Sequence, residues 1–99
     1  MSRRRAPRPA SDALRAALRR AAPKTRLAAV QGVWGEVAGE RIAAVAQPVS
    51  ERGQTVTIAC EDPVWAEELD LMQDRLLSGL RERLGEDAPG ALRFRLKDT

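Results

Sequence analysis

A chain of 99 residues with one cysteine, no histidine and no tyrosine has room for one modest core and few means of catalysis. A domain of this size buries roughly two-thirds of the surface its unfolded chain exposes. No stretch approaches the ~20 apolar residues of a membrane span, and the lone Cys60 gives neither a disulfide framework nor metal-ligand spacing. The net charge of +3 conceals a segregation. Residues 1–26 carry Arg3, Arg4, Arg5, Arg8, Arg15, Arg19, Arg20, Lys24 and Arg26 against Asp12, a net of +8, whereas residues 27–99 hold eight bases against thirteen acids, a net of −5. A cationic arm on an acidic body is the pattern of a polyanion-binding tail. The competing explanations are a solubilising tail, membrane-surface binding, and the arginine bias of a GC-rich genome, with fifteen arginines to two lysines. The start lacks the apolar core of a secretory signal, although its arginines and scarcity of acids also suit an organellar transit peptide. A reducing cytoplasm is the expected location.

In chain order, residues 1–10 hold Pro7, Pro9 and four arginines with almost nothing to bury, which predicts a disordered basic arm. Ser11 caps a predicted basic amphipathic helix that stops before Pro23, in a unit spanning 11–24. Leu14, Ala17, Leu18 and Ala21 form its narrow apolar stripe, and Arg15, Arg19 and Arg20 lie off it. A domain over 25–99 follows. Its first helix starts at the Thr25 cap with Leu27, Val30, Trp34 and Val37 on one face, and ends near Gly39. Gly32 and Gly35 inside it are expected to permit close packing against a neighbour. A short turn or one-turn helix uses Ile42 and Val45. Pro48 confines the next strand, about 47–51, to an edge or a bulge. Arg52-Gly53 is the predicted turn, and 54–60 alternates as a strand with Val56, Ile58 and Cys60 inward. Asp62-Pro63 is a strong helix start. One long helix is expected over about 63–84, carrying Trp65, Leu69, Met72, Leu76, Leu80 and Leu84. Gly85 stops it, and a last strand turns Leu92, Phe94 and Leu96 inward and Arg93, Arg95 and Lys97 outward. The predicted fold is α+β, with helices on one face of a three-stranded mixed sheet in the order α-α-(α)-β-β-α-β. The strand-helix-strand crossover should make its two strands parallel.

Little chemistry is available. Histidine, the commonest general base, is absent. No phosphate-cradling Gly-x-x-x-x-Gly-Lys-Ser/Thr loop is present. Cys60 lacks a partner base, and Glu67, Glu68, Asp70 and Asp74 read as solvated helix charge rather than paired catalytic carboxylates. No enzyme activity, cofactor, metal or small-molecule substrate is expected. Gly32-Val33-Trp34-Gly35 matches the Gly-x-x-Gly clamp of KH domains, but it precedes the hairpin. The position after the hairpin reads Leu77-Ser78-Gly79-Leu80, which is no clamp. Arg93, Arg95 and Lys97, beside Thr55 and Thr57, form a basic strip able to touch phosphates. Trp34 and Trp65 are candidates for the core, or for a partner-binding groove.

Val33-Trp34-x-x-Val37-x-Gly39, Ile42-Ala43, Pro48, Gly53-Gln54-Thr55-Val56-Thr57-Ile58 and Val64-Trp65-Ala66-x-Glu68-Leu69 together resemble the DciA family over about 26–96. That resemblance implies a type II KH-like fold, a cytoplasmic, nucleoid-associated location and a role in bacterial replication initiation, loading or operating the DnaB-type replicative helicase and binding single-stranded or forked DNA. Many relatives carry a long extension after the folded domain, whereas here the basic arm comes first. Arg3, Arg4, Arg5, Arg8, Arg15, Arg19, Arg20, Lys24, Arg26, Arg93, Arg95 and Lys97 are the expected nucleic-acid contacts. The alternatives are an RNA-binding KH-like module in RNA metabolism and a protein-protein adaptor.

Overall fold

The computed structural model describes residues 25–97. The predicted arm and basic helix, residues 1–24, lie outside them. Helix α1 (Arg26–Ala38) leads through Gly39 into the short α2 (Glu40–Val45), and β1 (Ala46–Arg52) and β2 (Thr55–Cys60) make a hairpin. Helices α3 (Pro63–Leu71) and α4 (Gln73–Leu84), a 3-10 turn at Gly85–Asp87, and β3 (Ala91–Leu96) complete the domain. The sheet order is β1-β2-β3, with β1 antiparallel and β3 parallel to β2, as the crossover requires. This is the expected α+β arrangement.

Local chemistry starts the helices where the sequence indicates. The Thr25 hydroxyl accepts from the Ala28 N–H at 2.9 Å and the Asp62 carboxylate from the Trp65 N–H at 2.9 Å, each satisfying an amide that the helix itself cannot. Pro63 opens α3, where its missing N–H has no cost. Gly85, at φ +58, ends α4.

The inward sheet face holds Val56, Ile58 and Cys60 at 0% exposure, with Leu92 beside them. Val30 and Trp34 from α1, Leu69 from α3 and Leu76, Leu77 and Leu80 from α4 close the core over it. Trp34 is its largest member, and its indole N–H donates to the Ala46 carbonyl at 2.8 Å. One side chain thus fills the space between α1 and the sheet and satisfies the first carbonyl of β1. Trp65 is half-buried at the core's margin. Burial and the nearby Asp62 carboxylate push the Cys60 thiol above its ordinary value of about 9.

Three sequence expectations need correction. The turn of the hairpin is Gly53-Gln54, one residue later than Arg52-Gly53, because Arg52 still pairs with Thr55 and Gly53 supplies the positive φ of +59. The long helix is two, broken at Met72 (φ −94, ψ 8). Its apolar row advances largely in steps of four, and each such step rotates the row by about 40°. With the single step of three, the row from Trp65 to Leu84 still spans only about 120°, so the pattern alone does not announce the break; α3 packs on β2 and β3, whereas α4 packs chiefly on α1. Gln73 at the break accepts the Leu92 N–H at 3.1 Å, tying α4 to the start of β3. Gly32 and Gly35 face open space, and the helical glycine of close approach is Gly79. A Cβ there would lie 2.9 Å from Val37 Cγ1.

Replacing Trp34 with Phe keeps an aromatic ring but strands the Ala46 carbonyl. The expected loss is about 1–3 kcal/mol of unfolding free energy in a urea titration. Cys60 should resist thiol reagents until the chain unfolds. Because its folded-state pKa is raised, its contribution to stability is full below the ordinary thiol value and falls away as the pH rises through the folded one. A thiol that reacts in native buffer at the rate of a free cysteine contradicts this.

Candidate nucleic-acid interface

The bulge in β1 determines what the outer sheet face displays. Pro48 pairs with Ile58, but the register then slips by one residue, so that Ser50 opposes Thr57, Glu51 opposes Val56 and Arg52 opposes Thr55. Without the extra residue, Ser50 and Arg52 would point into the core and Glu51 out of it. With it, the Glu51 carboxylate lies on the helix side and accepts the Leu27 N–H at 2.8 Å. It thereby satisfies one of the orphan amides of α1, next to the positive end of the helix dipole. Ser50 and Arg52 join the outer face.

There they meet the predicted strip. Arg93 on β3 lies beside Thr57, and Arg95 beside Ala59. Ser50, Glu51, Arg52, Thr55, Thr57 and Arg93 line an open depression of about 510 Å³. Strand spacing separates the Arg52 and Arg93 backbones by about 12 Å across β2, and both side chains reach the same hollow. Guanidinium groups are donors only, and hydroxyls rotate to donate or accept. Two of the former and three of the latter suit the oxygens of a phosphodiester backbone. Further along, the Arg95 guanidinium donates to the Leu96 carbonyl at 3.3 Å. Lys97 forms an exposed pair with Glu61 at 3.4 Å, an interaction weak enough to exchange for a phosphate.

The other predicted contacts are distributed differently. Arg3, Arg4, Arg5, Arg8, Arg15, Arg19, Arg20 and Lys24 lie outside the described residues. Arg26 serves the architecture. Its guanidinium donates to the Gly53 carbonyl at 3.0 Å and the Ala88 carbonyl at 3.4 Å, joining the hairpin turn to the loop before β3. Trp34 is 3% exposed. Beside it a second open groove of about 360 Å³ runs past Gln31, Gly35, Ala43, Gln47 and Pro48, and Gln31 is tethered there to the Pro48 carbonyl at 3.1 Å. Gly32-Val33-Trp34-Gly35 lies within continuous α1. The junction between the two helices after the hairpin falls at Leu71-Met72-Gln73-Asp74, not at Leu77–Leu80, and contains neither glycine nor base. Neither segment makes the Gly-x-x-Gly loop with which KH domains hold a nucleic-acid backbone.

Sequence reasoning misses Arg52 and Ser50. The pattern puts Arg52 in the turn, and parity counted from Pro48 without the bulge turns Ser50 inward. The signal is present in Pro48 itself, which lacks a ladder N–H and so favours a bulge beside it. No three metal-ligating side chains come together among the described residues. None of the described helices is long and apolar enough to cross a membrane.

Comparison with known proteins agrees with the motifs. Residues 9–94 match the family described as "Dna[CI] antecedent, DciA". A UPF0232 protein of Rhodococcus jostii is 33% identical over 72 residues, covering 73% of this chain and 38% of the relative. A UPF0232 protein of Mycobacterium tuberculosis is 30% identical over 92 residues, covering 91% of this chain and 49% of the relative. The chain therefore spans about half, or less, of the length of these curated relatives. A family match over most of the sequence, on the fold the motifs implied, leads to one conclusion: the chain belongs to the DciA family.

Proposed function

We propose that this protein is a non-enzymatic accessory of DNA replication that binds DNA and a DnaB-type replicative helicase and promotes the helicase's loading or activity. The observation that carries the DNA half is the outer sheet face, where Arg52 and Arg93 share one hollow with Ser50, Thr55 and Thr57. Family membership supports the helicase half. The sequence contains no phosphate-cradling loop for ATP. Such a protein works through differential binding, favouring one helicase state or placing helicase on a strand.

The chemistry of the face constrains the mode of DNA recognition. Phe94 lies on β3 between Arg93 and Arg95 and packs on the core side, as do Trp34 and Trp65. No aromatic ring among the described residues is therefore available on the outer face to stack a base. Phosphates are what guanidinium and hydroxyl groups there recognise, so binding should be largely independent of sequence and steeply dependent on salt. Arg93, Arg95, Lys97 and Arg52 would hold the strand on the domain, and Arg3, Arg4, Arg5, Arg8, Arg15, Arg19, Arg20 and Lys24 would extend the contact. Arg26, already engaged with two carbonyls, would contribute through its remaining N–H groups.

If six bases each neutralise one phosphate, log affinity for single-stranded DNA should fall with log salt at a slope of about −4. Arg52→Ala with Arg93→Ala should flatten that slope by about 1 to 1.5 and weaken every sequence alike. A slope near zero, or an unaltered slope in the double variant, excludes the sheet face as the DNA contact. Retention of the host's replicative helicase on the immobilised chain, strengthened by single-stranded DNA, is the result expected for the partner. Clear preference for RNA in competition, with no helicase retained, would instead assign the protein to RNA metabolism.

A further inference from the structure

Helix α3 turns an unusual face to solvent. Val64 and Leu71 are 67% and 80% exposed, although both are large and apolar. Seven residues apart, they stand two turns apart on one line of the helix. Glu67 and Glu68 lie between them, one on each side of that line, since each is three or four residues from both. Neither carboxylate has a cationic partner within 4 Å among the described residues, whereas Glu36 pairs with Arg83 and Glu61 with Lys97. Asp70, bonded to the Gln73 side chain at 3.3 Å, and Asp74 add negative charge at the C-terminal end. This is an apolar seam with acids along both margins.

We propose that the seam is the docking surface of this chain's own cationic segment, residues 11–24. Its sequence is the complement: an apolar stripe of Leu14, Ala17, Leu18 and Ala21, with Arg15, Arg19 and Arg20 off the stripe. The point of attachment suits this. Thr25 and Arg26 sit beside the hairpin turn and the loop before β3, where Arg26 bonds to Gly53 and Ala88. Gln73, two residues after Leu71, bonds to Leu92 at that same end of the sheet. The segment thus leaves the domain at the end where the seam terminates. Two exposed apolar residues are a weak anchor between separate molecules, but a short tether supplies an effective concentration of about 1 mM, enough to populate a weak contact.

Docking goes beyond the replication reading and has a consequence for it. Arg15, Arg19 and Arg20 would face either Glu67 and Glu68 or phosphates, so the seam restrains the arm until a polyanion competes for it. This is an intrachain brake on DNA binding.

Amide spectra of the full chain at low ionic strength test the contact without DNA. Leu14→Asp with Leu18→Asp should shift the amides of residues 64–71 and leave those of β1 and β2 in place. Raising the salt to about 0.5 M, where the Debye length drops to about 4 Å, should do the same. Unmoved amides at 64–71 overturn the proposal. So does a shift that grows with protein concentration, because it assigns the seam to a second copy. Glu67→Gln with Glu68→Gln should tighten binding of a single-stranded DNA oligonucleotide about 3- to 10-fold. The gain should exceed that of Glu82→Gln with Glu86→Gln, which removes equal charge elsewhere, and an equal gain overturns the brake. If the unaltered chain ignores DNA altogether, the replication reading fails while the spectral test of docking stands.

Discussion

The side-chain parity of β1 is the constraint on which both faces of the sheet depend. Between Pro48 and Ser50 the ladder admits one residue too many, and everything after it changes sides. Ala46 and Pro48 face the core before the slip, and Glu51 does so after it. Because Glu51 carries a charge, the reversal is tolerable only with a partner. The amide of Leu27 at the start of α1 supplies one at 2.8 Å, so the bulge and the helix N-terminus are mutually dependent. The same slip places Arg52 on the face that carries Arg93. A strand irregularity therefore builds a cationic hollow on one side while it anchors a helix on the other.

The remaining architecture holds that strand in place. Trp34 bonds the first carbonyl of β1 to α1, Gln31 bonds the Pro48 carbonyl just before the slip, and Arg26 bonds the turn at its far end. Three side chains of one helix thus fix the start, middle and end of β1, an edge strand that pairs only with β2 among the described residues. Beneath them the core is wholly apolar, with no buried polar or charged side chain among the described residues. Core contacts are non-directional, so it is these polar tethers, the buried Trp34 bond among them, that specify which way β1 lies.

Much of this is legible in the sequence because it is encoded locally. Thr25, Asp62-Pro63 and Gly85 mark helix ends through their own backbone chemistry, and the alternation of Val56, Ile58 and Cys60 identifies an inward face without reference to any partner. What is not legible depends on partners distant in sequence. The break at Met72 has no proline or glycine to announce it, and arises because α3 and α4 serve different neighbours. Gly79 is required by Val37, more than forty residues away in the chain. Alternation alone identifies Arg93, but Arg52 joins it only once the register around Pro48 is known. The candidate site is thus half visible, its β3 side from pattern and its β1 side from pairing.

The central claim is that a domain without a KH clamp holds nucleic-acid phosphates on the outer face of its sheet. The most direct measurement is residue-by-residue mapping of amide shifts as a single-stranded DNA oligonucleotide is added to the full chain. Ser50, Arg52, Thr55, Thr57 and Arg93 should move together, while Gly32 to Gly35 and the Met72 junction stay in place. Shifts centred on the groove beside Trp34 or on the Met72 junction, with the outer face silent, would refute the claim.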